Sequence, residues 1–210
     1  MKIAPEGKIF IIISLIISLL LYSRNKFFSF IGFLITGFLT YFFRDPERET
    51  VIDENRIYSP ADGTIINIEE VEEDVFIKGP VVKISIFMSL TNVHVNRVPT
   101  SGSVALVKHI DGKFLPAWNK NASFENERNL VGLETIHGKI LITQIAGLVA
   151  RRIVCRVNEG DMLEQGEKLG LIKFSSRVEI FLPKSNKLKI NVNVMDKVQA
   201  GLTSLAEYIK

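Results

Sequence analysis

Among its 210 residues the chain has a single cysteine, Cys155, so no internal disulfide can form and nothing in the sequence calls for an oxidising compartment. Within the strand-like run Ile153-Val154-Cys155-Arg156-Val157 this thiol reads as a packing residue rather than a nucleophile. Histidine is nearly as scarce. His94, His109 and His137 lack metal-ligand spacing, which argues against a metal site. No low-complexity tract, long linker or extended charge run interrupts residues 45–210, so that stretch reads as one domain. A basic stripe is absent from it too. Lys2, Lys8, Arg24, Lys26 and Arg44 against Glu6 give residues 1–44 a charge of +4, so the net +3 leaves −1 for the remainder. A nucleic-acid-binding protein carries its positive charge on the folded domain, and that class is set aside.

What the chain has in excess is apolar residues, 47% of the total, and the excess lies at the N-terminus. Two apolar runs, 9–22 and 27–43, flank the polar link Ser23-Arg24-Asn25-Lys26. As helices they would be roughly 21 and 26 Å long, short of the roughly 30 Å hydrocarbon core of a bilayer. Each spans with snorkelling ends and local thinning, or the two form a re-entrant or interfacial hairpin. A cleaved signal peptide fits less well, because no small-residue cleavage site follows Tyr22 and a second apolar run comes at once. Basic residues before, between and after the runs leave positive-inside counting near a tie. Residues 1–44 are therefore expected to be a membrane anchor, with 45–210 as the functional domain.

Beyond Arg48 the pattern changes to short strands bounded by turn residues. Candidates are 64–71, 81–90, 103–108, 139–145, 151–157, 169–174, 178–182 and 188–194, several alternating with period two, as in Lys83-Ile84-Ser85-Ile86. Helix is predicted only over 202–209 and part of 117–129. The stretch 159–170 has the glycine-turn spacing of biotinyl and lipoyl carrier domains, and 196–201 repeats a piece of it, without the isolated lysine that such carriers display. Glycine there supplies positive φ between short strands. The predicted fold is mainly β, a barrel or sandwich-hybrid-like domain behind an N-terminal apolar helical hairpin.

Several motifs follow one another in a set order: Phe42-Phe43-Arg44-Asp45-Pro46-Glu47-Arg48, Ser59-Pro60-Ala61-Asp62-Gly63, Phe87-Met88-Ser89, Asn92-Val93-His94-Val95-Asn96-Arg97-Val98-Pro99, Gly112-Lys113-Phe114, Asn126-Glu127-Arg128-Asn129, Gln144-Ile145-Ala146-Gly147, and Phe174-Ser175-Ser176-Arg177-Val178-Glu179. By local chemistry alone Asp62 is a turn aspartate, His94 a strand-end histidine and the serine pair two ordinary strand or turn residues. In order and wording the set resembles the short, membrane-associated phosphatidylserine decarboxylase proenzymes, over nearly the whole chain.

That resemblance implies a zymogen. Ser176 would attack the carbonyl of Ser175, cleave the chain into 1–175 and 176–210, and become a pyruvoyl group. The two fragments would stay together as a heterodimer. The electron sink for decarboxylation would be this self-made ketone, since no phosphate cradle or lysine for pyridoxal phosphate is apparent in the sequence. The resemblance further implies His94 as general acid or base and Asp62 as a carboxylate that polarises a catalytic group near the serine. The substrate would be phosphatidylserine in the cell membrane, the product phosphatidylethanolamine, and the domain would face the cytoplasm; Arg97, Arg151, Arg152 and Arg177 are available for headgroup contacts, and Phe114 to Trp118 could dip into the interface. Two departures matter. Ser175 stands where the family normally has glycine, and in strained geometry a serine costs about 1–3 kcal/mol. Arg97 stands where longer relatives carry a second histidine. The competing readings are a processing-impaired family member and a non-enzymatic membrane-anchored adaptor with a lipoyl-like sandwich.

Overall fold

The computed structural model describes residues 2–119, 121–148, 152–173 and 176–209. The chain divides after Glu47 into two units. In the first, strands β1 (Lys2–Ile3) and β2 (Arg44–Asp45) pair antiparallel and tie together the two ends of a helical hairpin, α1 (Pro5–Tyr22) and α2 (Lys26–Phe42). Pro5 starts α1 where a missing N–H does no harm, which is why the helix begins ahead of its apolar run. Asn25 caps α2 by accepting the N–H groups of Phe27 and Phe28 at 3.0 and 3.2 Å.

The packing between these helices is inverted relative to a water-soluble pair. Ser18 and Ser29 are buried; the Ser29 hydroxyl donates to the Ser18 carbonyl at 2.7 Å, and the Ser14 and Thr36 hydroxyls meet at 2.8 Å. Gly32 lies where a Cβ would collide with Ser18. Leu20 and Phe27, by contrast, are each 67% exposed. Small and hydroxylic residues inside with large apolar ones outside is what lipid as a solvent favours. With 18 residues, α1 is long and apolar enough to cross a membrane; α2 has 17.

The second unit is built from strands: β3 (Arg56–Tyr58), β4 (Gly63–Glu73), β5 (Gly79–Met88), β6 (Val95–Arg97), β7 (Gly102–Ile110), β8 (Arg128–Thr135), β9 (Gly138–Ala146), β10 (Ile153–Cys155), β11 (Met162–Leu163), β12 (Lys168–Ile172), β13 (Ser176–Pro183), β14 (Leu188–Ile190), β15 (Lys197–Val198) and β16 (Ser204–Tyr208), with one helical turn, α3 (Ala122–Glu125), before β8. An eight-stranded antiparallel sheet in the order β11-β7-β8-β9-β13-β5-β4-β15 curls into a half-barrel. Two three-stranded sheets, β10-β12-β6 and β14-β16-β3, complete the unit.

These orders contain an internal dyad. Exchanging β3 with β6, β4 with β7, β5 with β8, β9 with β13, β10 with β14, β11 with β15 and β12 with β16 maps the large sheet onto itself read backwards and each small sheet onto the other. Local detail follows the same exchange. Gly63 and Gly102 both sit where a Cβ would strike a carbonyl oxygen, of Phe87 and of Glu134. The Asn158 N–H donates to Asp161 Oδ2 at 2.8 Å, and the Asn193 N–H to Asp196 Oδ2 at 2.7 Å. Register shifts fall between Val104 and Leu106 and, equivalently, between Ile65 and Asn67, adding twist that helps the sheet curl. The sequence echo between 159–170 and 196–201 is the trace of this repeat, with Gly166 and Gly201 at matching positive φ of 88° and 72°.

At the centre of the large sheet, β13 pairs with β5 on one side and β9 on the other. Alternation puts Ser176, Val178, Ile180 and Leu182 on the core face with Ile84, Ile86 and Met88, while Arg177 and Glu179 share the opposite face with Lys83 and Ser85. Full burial of each of the three large aliphatics contributes about 1.5–3 kcal/mol. Residues 176–209 therefore contribute strands to two of the three sheets of the unit, β13 and β15 to the large one and β14 and β16 to a small one.

The helix predicted over 202–209 is instead β16, paired with both β14 and β3; so short an apolar segment carries no decisive period, and the pairing partners decide. In 117–129 only one helical turn forms. The sequence reading missed β8, whose Asn129 and Gly132 blur the alternation. Arg151 and Phe174, ends of two predicted strands, lie outside the described residues.

Candidate active site

Ser176 opens β13 and is fully buried. Its cross-strand neighbours are Met88 on β5 and Ala146 on β9, which fix its side chain on the core face. The hydroxyl donates to Met88 Sδ at 3.3 Å, a weak acceptor that leaves the oxygen lone pairs uncommitted by that bond. Ser175 lies outside the described residues.

Asn96 Nδ2 approaches the same sulfur at 3.7 Å. A relay sets its direction: Asn129 Nδ2 donates to Gln144 Oε1 at 3.3 Å, and Gln144 Nε2 donates to Asn96 Oδ1 at 2.8 Å. Asn96 and Gln144 are fully buried. Their dyad-related positions, with that of Asn129, hold Ile57, Leu182 and Val82. The fold itself accepts apolar residues there, so the amides are an addition on the side of the unit that holds Ser176, tolerated because each satisfies the next. Sequence reasoning did not find this relay, since Asn129 and Gln144 meet only through strand register.

His94, in the loop between β5 and β6, is also fully buried. Its Nδ1–H donates to the Asn92 carbonyl at 3.0 Å. A carbonyl can only accept, so in the neutral ring Nε2 carries the lone pair. The dyad-related residue is the exposed Asn55. Both positions do the same backbone work, His94 O accepting the Ile172 N–H at 3.4 Å and Asn55 O the Tyr208 N–H at 2.8 Å. The imidazole is not part of that work.

Asp62 is buried and holds three hydrogen bonds. Arg48 grips it with Nη1 on Oδ1 at 2.6 Å and Nη2 on Oδ2 at 2.8 Å, and the Ala200 N–H donates to Oδ1 at 2.8 Å. The close approach of Gly63 to the Phe87 carbonyl sets the turn that carries Asp62 against β5. A cavity of about 260 Å³ is lined by Asp62, Gly63, Thr64, Ser89, Thr91 and Asn92, with residues 197–199 beside them. Asp62 faces it directly, His94 is tied to its wall through Asn92, and wall residue Ser89 directly follows Met88, the neighbour of Ser176. The three residues chosen from sequence thus gather at one end of the sheet. Arg48 was not among them.

Of the four arginines named for headgroup contacts, the three described ones stand in different settings. Arg97 donates to the Gly166 carbonyl at 2.8 Å. Arg177 is buried on the opposite face of β13, bonded to the Ser123 hydroxyl at 2.7 Å and the Asn119 carbonyl at 3.2 Å. Arg152 is exposed, and Arg151 lies outside the described residues. Phe114 packs against the core, whereas Trp118 and Phe124 are 63% and 76% exposed.

Residues 35–206 match the model of the phosphatidylserine decarboxylase family. The chain belongs to that family. A phosphatidylserine decarboxylase proenzyme of Carboxydothermus hydrogenoformans is 45% identical over 179 residues, covering 85% of this chain and 84% of the relative. Proenzymes of the same name from Geotalea uraniireducens and Pelagibacter ubique are 44% and 40% identical, covering 97% and 98% of this chain and 95% and 96% of the relatives. The part matched to the phosphatidylserine decarboxylase family includes Arg48, Asp62, His94 and Ser176, so the whole of the cavity end of the sheet falls inside it.

Proposed function

We propose that the protein is a membrane-associated phosphatidylserine decarboxylase, made as a zymogen, that cleaves itself between Ser175 and Ser176 and carries the resulting pyruvoyl group at residue 176. Beyond family membership, the observation that supports this most is the setting of Ser176: a buried hydroxyl held by a thioether, at the first residue of a strand that stays paired on both sides. In the cleavage the Ser176 oxygen attacks the carbonyl carbon of residue 175, and the C–N bond breaks to give an ester. Removal of the residue 176 α-proton then breaks the Cβ–Oγ bond, the 175 carboxylate leaves, and water hydrolyses the remaining enamine to a ketone with loss of ammonia. Once bound substrate meets it, that ketone supplies the electron sink which decarboxylation requires.

The residues present fit such a group. Losing its peptide link at 175 removes only the end of β13, and the pairs from Arg177 to Pro183 with β5 remain. Fragment 176–210 stays threaded through the unit, so the two chains remain a heterodimer. Asp62 polarises the catalytic end of the site during maturation, and His94 Nε2 takes and returns protons. The cytoplasmic face of the cell membrane is where the free thiol and the lipid substrate fit, with the helical hairpin as anchor.

Intact mass with and without a carbonyl reagent tests the whole reading, together with release of carbon dioxide from phosphatidylserine vesicles. Two fragments, the smaller one carrying a reactive ketone, are expected. A single chain of full mass would favour a stalled proenzyme or an adaptor. Ser175→Gly keeps the attacked carbonyl and relaxes its backbone, so it should cleave at least as fast as the parent in a mass-spectrometric time course; abolished cleavage would remove Ser175 as the attacked residue.

Membrane contact through the exposed aromatics has its own test. Trp118 is the only tryptophan in the chain, so its fluorescence reports on one site. In vesicles containing lipids brominated high on the acyl chain, the full-length protein should show strong quenching. Emission unchanged by bromine would place Trp118 in water.

A further inference from the structure

The dyad supplies an internal control for the Asp62 site. At the related position stands Ser101, whose hydroxyl accepts the Gln165 N–H at 3.1 Å, as Asp62 Oδ1 accepts the Ala200 N–H at 2.8 Å. A neutral side chain with one acceptor is therefore enough to hold this turn. The charge on Asp62, its second oxygen and the guanidinium that meets both exceed what the fold asks for. Burying such a pair is costly unless its geometry is excellent, and here the side chains of Arg48 and Asp62 are 7% and 9% exposed. Arg48 Nη1 also donates to the Ala200 carbonyl at 2.7 Å, so one side chain anchors to the β15–β16 turn and holds a fork of two parallel bonds on the carboxylate, the arrangement that fixes a carboxylate's plane as well as its position.

We propose that Arg48 is a positioning residue for self-cleavage, locking the Asp62 carboxylate in one orientation at the cavity whose wall residue Ser89 follows Met88, the strand neighbour of Ser176. The inference rests on the reading of Asp62 as a maturation residue. Lysine cannot reproduce the fork, and glutamine keeps neither fork nor charge, so the two replacements separate orientation from charge.

The test uses the full-length chain, synthesised cell-free into lipid nanodiscs so that cleavage is followed from the uncleaved state by intact mass. Arg48→Gln should slow cleavage by about tenfold or more, and Arg48→Lys should recover part of that loss. Because Arg48 acts through Asp62, the double variant R48Q/D62N should be within about twofold of D62N alone. A wild-type rate in R48Q overturns the proposal, as does a double variant that falls below D62N by the full factor seen for R48Q. Thermal melts by circular dichroism accompany each variant. Should R48Q not fold, R48K decides, and a folded R48K cleaving at the wild-type rate overturns the proposal. D62N cleaving normally would instead remove Asp62 from maturation; D62N slow with R48Q fast would remove Arg48 alone.

Discussion

Ser176→Ala should yield a single chain of full mass, with no ketone detectable by a carbonyl reagent and no decarboxylation of phosphatidylserine. Under the proposed self-cleavage the loss is all or none, because the variant lacks the oxygen assigned to the attack. Misfolding is a poor alternative explanation here. The deleted hydroxyl donates only to a thioether among its described contacts, so its removal costs about 1 kcal/mol or less, and alanine suits the core face of β13. Circular dichroism and thermal melting should match those of the uncleaved parent. If Ser176→Ala still breaks between 175 and 176, the attacking residue and the register of the reaction are both wrong.

The sequence made some features legible and hid others for physical reasons. Period-two alternation over 81–90 and 178–182 marks β5 and β13 because these central strands bury one face completely. The shortest strands, β11 and β15 among them, exist only through their partners and leave no local pattern. The helical hairpin was visible from two apolar runs, but its inverted interior, Ser18 against Ser29, follows from the packing of one helix on the other. For the site, motif order pointed to Ser176, His94 and Asp62. Arg48 sat in plain view at the end of a quoted motif, yet its partner lies 14 residues on, across a turn, where no spacing rule connects them. The amide relay is further from reach, with Asn96, Gln144 and Asn129 brought together by β6, β9 and β8.

The dyad also explains how a site can be added to a repeat without endangering it. Each candidate side chain stands where the related half carries a different residue: Asp62 for Ser101, His94 for Asn55, Asn96 for Ile57, Gln144 for Leu182. Backbone contacts are common to both halves, so the turns and strand ends hold whichever residue is present. The proposed site lies in the differences, at positions where the related half folds with another residue in place.

His94 is where this gives the clearest experiment. Loss of a positioned acid or base reduces rates by about 10² or more, so His94→Ala should fall to that level in carbon dioxide release from phosphatidylserine vesicles. Alanine leaves a void at a fully buried position, and a poor melt would confuse the outcome. His94→Asn lessens that difficulty, since asparagine fills more of the space than alanine and is the residue at the dyad-related position 55. Asparagine cannot exchange a proton near neutral pH, so a folded His94→Asn should be as inactive as His94→Ala. Intact mass then separates two roles. Complete cleavage with lost turnover assigns Nε2 to the lipid reaction, whereas an uncleaved chain assigns it to maturation. Wild-type turnover in a folded His94→Asn would take the imidazole out of the chemistry altogether.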